Sequence, residues 1–205
     1  MAGSQAGSTS QSETALIITN SEISGSKASM RIFSETLSAA SIYQITVMTR
    51  AGEARREISR NVFDIVIIDM PLADESGESL ARHIAANYLT QVILAVNSGD
   101  FNEVSAVCQE DGVLVISKPI DKNYFWSALS LARSVSKKFK RIQNENAKLK
   151  QKIEDIRVID KAKCLLISYL NLTEQESHRF IEKQAMDLRS TKRGIAEEIL
   201  KTYAN

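Results

Sequence analysis

Residues 64–77 read DIVIIDMPLADESG. Between its first two aspartates stand four apolar, β-branched residues, Ile65 to Ile68, a run too short for a helix. A strand that is apolar on both faces must be covered on both faces, as in a parallel sheet sandwiched by helices. The same signature recurs in ALIIT (15–19), YQITVM (43–48), VILAV (92–96) and VLVIS (113–117). Amphipathic stretches near 26–40, 51–60, 77–88 and 101–110 separate these runs, and a fifth helix begins near Lys122. Alternation of this kind specifies an α/β class, a doubly wound five-stranded parallel sheet. Such sheets bind ligands beyond the carboxyl ends of their strands. The positions expected there are Asn20, Ser21, Asp69, Val96 and Lys118.

Those positions carry a resemblance. DIVIIDMPLADESG resembles the phosphorylation segment of response-regulator receiver domains: Asp69 ends the third strand, Pro71 follows, and Gly77 lies eight residues on. SKPI (117–120) resembles the Lys-Pro segment that ends the fifth strand, where the family's lysine reaches the phosphorylated aspartate. Pro71 and Pro119 are the chain's two prolines, and both fall on receiver positions. The resemblance spans residues 15–134 and implies a cis bond at Lys118–Pro119, since cis bonds are largely confined to X-Pro.

Against that pattern, Asn20 and Ser21 replace the acidic pair. Val96 replaces the hydroxyl residue that contacts the phosphoryl group, and Val115 replaces the switch aromatic. Transfer to an aspartate needs a divalent cation to offset charge on the phosphoryl oxygens. Magnesium takes about six hard oxygen ligands, usually with one or two carboxylates. Asp69 alone supplies one, and Glu22 should point to the other side of its strand. The expectation is a pseudo-receiver with a phosphorylation-independent input, Asp69 being a vestigial carboxylate salt-bridged to Lys118. The alternative is a conventional response regulator phosphorylated on Asp69.

No apolar run approaches the roughly 20 residues that span a bilayer. Residues 1–14, MAGSQAGSTSQSET, lack the features of a secretory signal and read as a disordered tail. Cys108 and Cys164 offer neither a disulfide framework nor metal-ligand spacing and fit a reducing cytoplasm. There is no phosphate-cradling Gly-rich loop, no nucleophile beside a base and no cluster of metal ligands. The expectation is therefore a non-enzymatic regulator without cofactor, metal or membrane partner. The net charge of +1 hides an asymmetry: residues 1–136 hold 10 Lys/Arg against 15 Asp/Glu, and residues 137–205 hold 16 against 10. A basic C-terminal third points to an anionic partner, nucleic acid first.

From Tyr124 no Pro or Gly interrupts the chain until Gly194. Within that stretch, heptads place Phe139, Asn146, Ile153 and Asp160 at a, with Val135, Ile142, Leu149 and Ile156 at d. The expectation is a coiled-coil helix over 135–160 and a homodimer, with a seam of Phe139, Ile142, Asn146, Leu149, Ile153 and Ile156. One Asn at an a position favours a parallel pair, and Glu145 at g can then meet the partner's Lys150 at e. The alternative folds the stripe back onto the same chain.

Residues 157–205 hold three helical patterns, expected to pack as a small all-α three-helix bundle. NLTEQE (171–176) supplies a capping box, Thr173 with Glu176 three residues later. The order "AK" at 162–163 with Leu165–Leu166, the Thr-Glu helix start, "AMD" at 185–187 and Ala196 resembles an ANTAR domain, the RNA-binding module of transcription antitermination regulators. Cys164 and Ser177 stand where that family usually has Gly and Ala. The resemblance implies a dimer that binds stem-loops of nascent transcripts, with a sensor or regulatory protein as a further partner. RNA contacts are expected from Ala162, Lys163, Met186, Arg189, Lys192 and Arg193. Alternatives are a protein-interaction adaptor and, third, a DNA-binding protein, although no basic helix-turn-helix is evident.

Overall fold

The computed structural model describes residues 13–20, 22–23 and 25–203. It divides into two units, Met1–Lys140 and Arg141–Asn205. In the first, five strands and four intervening helices alternate: β1 (Thr14–Thr19), α1 (Ser26–Ala39), β2 (Gln44–Met48), α2 (Ala51–Arg60), β3 (Ile65–Asp69), α3 (Glu78–Asn87), β4 (Gln91–Asn97), α4 (Phe101–Cys108) and β5 (Leu114–Lys118). The sheet is parallel throughout, in the order β2-β1-β3-β4-β5. Inner strands β1, β3 and β4 bury nearly every side chain, while edge strand β2 is partly exposed.

Because side chains alternate along a strand, each inner strand feeds two cores. Leu16, Ile18, Val66, Ile68, Leu94 and Val96 pack against α2, α3 and α4. Ala15, Ile17, Ile65, Ile67, Ile93 and Ala95 pack against Phe33 and Leu37 of α1 and Phe125, Leu129 and Ala132 of the next helix. That helix, α5 (Lys122–Leu170), is continuous for 49 residues. Its heptad pattern therefore begins inside the sheet packing, where Phe125 and Ala132 occupy a positions.

The loop after β3 is pinned by its own acids. Asp74 accepts from the amides of Ala51 (2.8 Å) and Gly52 (3.0 Å), capping α2, and these bonds hold its carboxyl below the usual range. Glu75 takes both bonds of the Arg55 guanidinium, at 2.7 and 3.0 Å. Gly77 opens α3 at φ 93°, where a Cβ would sit 3.0 Å from Met70 Cγ and 3.1 Å from Ile68 Cγ2. A glycine is required there on both counts. Lys118–Pro119 is cis as expected, and Met70–Pro71 is also cis.

Of the residues expected in the tail, Thr14 starts β1 and Glu13 accepts from Arg133 Nε at 2.7 Å, so both are tied to the first unit; residues 1–12 lie outside the described residues.

In the second unit the end of α5 packs with α6 (Glu174–Asp187) and α7 (Lys192–Tyr203) around Ala162, Leu166, Ile181, Ala185, Ile195, Ala196 and Ile199. The capping box is formed: the Thr173 amide donates to Glu176 at 2.8 Å, and the Glu176 amide to Thr173 Oγ1 at 3.3 Å. Asn171, at φ 51°, ends α5 in the left-handed region that Asn tolerates.

Candidate functional site

Asp69 lies at the carboxyl end of β3 with its side chain fully covered. Lys118 Nζ donates to Asp69 Oδ1 at 3.0 Å and also to the Met70 carbonyl. Thr19 Oγ1 donates to Asp69 Oδ2 at 3.0 Å. The β1–β3 register sets Thr19 directly opposite Asp69, so the hydroxyl and the carboxylate meet on one face. Each carboxylate oxygen thus has a donor, and the charge is paired. Sequence reading missed Thr19. A hydroxyl at a strand end is a weak signal until the pairing of residues 50 apart is known.

The remaining receiver positions carry no second charge to this centre. Asn20 Oδ1 accepts from the Glu22 amide at 3.1 Å, closing its own turn. Ser21 lies outside the described residues. Val96 is fully buried in the core under α2, α3 and α4. Among the described residues no group of three or more His, Cys, Asp or Glu is placed to hold a metal. Beside the pair opens a cleft of ≈ 570 Å³ onto which Lys118, Asn97, Ser98, Ile32 and Ile120 face, while Asp69 does not line it.

Along α5 the expected seam residues share a face by their 3-4 spacing. Phe139, Ile142, Leu149, Ile153 and Ile156 are 40% to 57% exposed, and Asn146 is exposed. From Lys137 to Glu154 no side chain is buried.

The positions expected to bind RNA separate into three groups. Ala162 has no exposed surface and fills the helix core, so its methyl cannot touch RNA; the correction follows from close packing of α5 against α6 and α7. Lys163, Lys192 and Arg193 are held by carboxylates of their own unit. Lys163 bonds Asp160 (2.7 Å) and Glu174 (3.3 Å), and the Asp160 bond first raises its ammonium above the usual range. Arg193 bonds Asp155 (2.7 Å) and Glu197 (2.8 Å), which holds the Asp155 carboxyl low. Lys192 bonds Glu182, which also meets His178 Nε2 at 3.2 Å. Met186 and Arg189 remain exposed and line, with Lys192 and Ser190, an open depression of ≈ 520 Å³ at the α6–α7 turn.

That turn is a Schellman cap. Ser190 donates to the Ala185 carbonyl at 2.9 Å and Arg189 to Met186 at 3.2 Å, with Arg189 at φ 49°. In the first turn of α6, Ser177 is fully buried and its hydroxyl has no partner among the described residues. An orphaned buried hydroxyl is costly, so Ser177→Ala should stabilise this unit by about 1 kcal/mol. A thermal melt should show its transition rising by roughly 4–8 °C; a fall would mean that the hydroxyl is satisfied in solution.

The two units match two family models. A response regulator receiver domain model covers residues 24–130, and an ANTAR domain model covers residues 147–200. The transcriptional regulatory protein PdtaR of Mycobacterium tuberculosis is 25% identical over 139 residues, 68% of each chain. The aliphatic amidase regulator of Pseudomonas aeruginosa is 29% identical over 86 residues, 42% of this chain and 44% of that protein. Among solved structures, the signal receiver domain of an HD domain-containing protein from Pseudomonas fluorescens aligns with a TM-score of 0.55. It is 19% identical and covers 67% of this chain and 98% of that one. A CheY-like receiver domain protein from Methanospirillum hungatei gives 0.51 at 18% identity, covering 62% and 98%. At such identities the structures speak for the fold alone. No helix among the described residues is long and apolar enough to cross a membrane. The 2-1-3-4-5 sheet with an aspartate and a lysine at its carboxyl edge, followed by the Ala-Lys helix and its two partners, places the chain in the response regulator receiver family, as a regulator of the type that carries a C-terminal ANTAR domain.

Proposed function

We propose that this regulator is a transcription antiterminator that binds hairpin-containing nascent RNA as a dimer, with a receiver whose input is independent of phosphorylation. The observation that carries the input half is the Asp69 centre. A working phosphoacceptor offers a carboxylate oxygen to the incoming phosphorus and a metal beside it. Here one oxygen is held by Lys118 and the other by Thr19, and the side chain is covered. The acids of the loop after β3, Asp74 and Glu75, are committed to α2. Exposure to a small acyl-phosphate donor with magnesium should leave the protein's mass unchanged. A phosphoryl adduct lost in Asp69→Asn would restore the conventional reading.

Support for a dimer comes from the uncovered apolar stripe of α5. A helix of this length with no buried side chain over 137–154 gains little from its own unit, and its 3-4 pattern is that of a parallel two-stranded seam. In that arrangement the two copies of Asn146 face each other. Asn146→Cys, made in a Cys164→Ser background, should give a disulfide-linked dimer on mild oxidation; Cys108 is buried and does not compete. A chain that stays monomeric under those conditions would remove the dimer.

RNA binding is supported by the C-terminal module and by its basic balance. Proteins read structured RNA mainly through exposed loops and phosphates, since the A-form major groove is too narrow for side chains. The direct test is affinity for a two-hairpin RNA against an unstructured RNA of equal length across a salt series. A preference for the hairpins that survives moderate salt is expected. Equal, salt-labile binding to both would reduce the basic tail to an electrostatic surface and favour a protein-interaction adaptor.

A further inference from the structure

The ion pairs of the C-terminal unit divide its cations into two populations. Lys163, Lys192 and Arg193 are bound to Asp160, Glu174, Glu182, Asp155 and Glu197, and each of these bonds joins residues of the same unit. Three of them tie different helices together: Arg193 of α7 to Asp155 of α5, Lys192 of α7 to Glu182 of α6, and Lys163 of α5 to Glu174 of α6. An RNA phosphate would have to displace a carboxylate at each of these three positions.

The second population sits elsewhere. Among the described residues, no carboxylate oxygen lies within 4.0 Å of Arg179, Lys183 or Arg189. Arg179 feels Glu176 only at longer range, because that carboxylate is bonded within the Thr173 cap. Arg179, Lys183 and Met186 recur at i, i+4 and i+7, so they form one stripe on α6. The buried residues of α6 are Ser177, Ile181 and Ala185, and 100° per residue places the stripe on the opposite side of the helix. All three stripe residues are exposed, Met186 at 75%.

At its C-terminal end the stripe runs into Arg189, the left-handed residue of the Schellman cap. Glycine is the usual occupant of that position, and a non-glycine residue there costs about 1–2 kcal/mol. Nothing in the core requires an arginine at this point: its side chain is exposed and unpaired. Local strain held at an exposed, charged residue is a mark of function.

We propose that the RNA face of this unit is the outward stripe of α6, Arg179, Lys183 and Met186, continued by Arg189 in the turn, while Lys163, Lys192 and Arg193 are internal clamps that hold the three helices together. The proposal rests on the RNA-binding reading above. Its chemistry matches a hairpin loop. Lys183 is a point charge for a backbone phosphate, and the planar guanidiniums of Arg179 and Arg189 can pair with phosphate or stack on a splayed base. Met186 offers a polarizable apolar contact that adapts to a base face.

The test uses the full-length protein with the two-hairpin RNA, the unstructured RNA of equal length and a potassium chloride series. Arg179→Ala/Lys183→Ala should weaken hairpin binding and lower the salt slope by about two, one for each phosphate no longer neutralised. Arg189→Gly should weaken hairpin binding while the C-terminal unit melts at a higher temperature, so the loss cannot be ascribed to unfolding. Met186→Ala should reduce the preference for hairpin over unstructured RNA and leave the slope unchanged. Lys201→Ala, an exposed cation of α7 outside the stripe, should bind as the wild type does. If the wild type prefers the hairpins but the stripe variants bind equally well, this face is wrong and the RNA-binding reading stands. The face is equally wrong if Lys201→Ala loses as much as they do. If the wild type shows no preference for the hairpins, both fall together.

Discussion

Lys118→Met should lower the stability of the receiver unit by about 3–5 kcal/mol. Asp69 is fully covered, and Lys118, with a side chain 17% exposed, is its cationic partner at 3.0 Å. Removing the ammonium leaves a carboxylate in a low-dielectric environment with one hydroxyl donor, Thr19. It also orphans the Met70 carbonyl, which the same ammonium satisfies. An uncompensated buried charge is among the most destabilising changes available to a domain whose total stability is on the order of 5–15 kcal/mol. Adding Asp69→Asn to Lys118→Met removes the charge itself and should recover much of the loss, a coupling of about 0.5–3 kcal/mol in a double-mutant cycle. Denaturant unfolding followed by the fluorescence of Trp126, the chain's one tryptophan and part of this unit, measures both terms. A Lys118→Met loss below about 0.5 kcal/mol, the scale of an ordinary surface substitution, would show that the lysine is free in solution and available to a phosphoryl group.

Leu166→Ala should be the most damaging single truncation in the C-terminal unit. Leu166 is 1% exposed and lies among Ala162, Ile181, Ala185, Ile195, Ala196 and Ile199. Three of those neighbours are alanines, which let the helices approach closely and leave few large side chains to relax into a vacated space. A buried Leu→Ala change costs about 2–5 kcal/mol, depending on how far the cavity collapses. A unit of this size is stable by roughly 0.05–0.15 kcal/mol per residue, so that cost consumes most of what holds it. Helical ellipticity should be lost from this unit first on heating, and hairpin RNA affinity should fall with it. A variant that melts as the wild type does would mean that the three helices are held chiefly by their ion pairs.

Much of the fold was legible in local pattern. Five apolar runs became five strands, and the helices over 26–40, 51–60, 77–88 and 101–110 appear as Ser26–Ala39, Ala51–Arg60, Glu78–Asn87 and Phe101–Cys108. These readings succeed because strand and helix periods, capping residues and the absence of Pro or Gly act within a few residues of one another. The capping box at Thr173 and the unbroken α5 belong to the same class.

What local pattern determined was therefore the elements, their order, and the residue types at the ends of the strands. It also placed Asp69 and Lys118 at one sheet edge, where Lys118 Nζ lies 3.0 Å from Asp69 Oδ1. Tertiary structure alone decided the partners. Thr19 reaches Asp69 because β1 and β3 align residues 50 apart in register. Asp74 caps a helix that begins 23 residues earlier. Ala162 is core because two later helices close over it, and Lys192 and Arg193 are neutralised by carboxylates 10 and 38 residues back in the chain. The physical reason is the range of the interaction. Periodicity records which face of an element is apolar, but the pairing of a particular charge is set by packing between elements, which no local window contains.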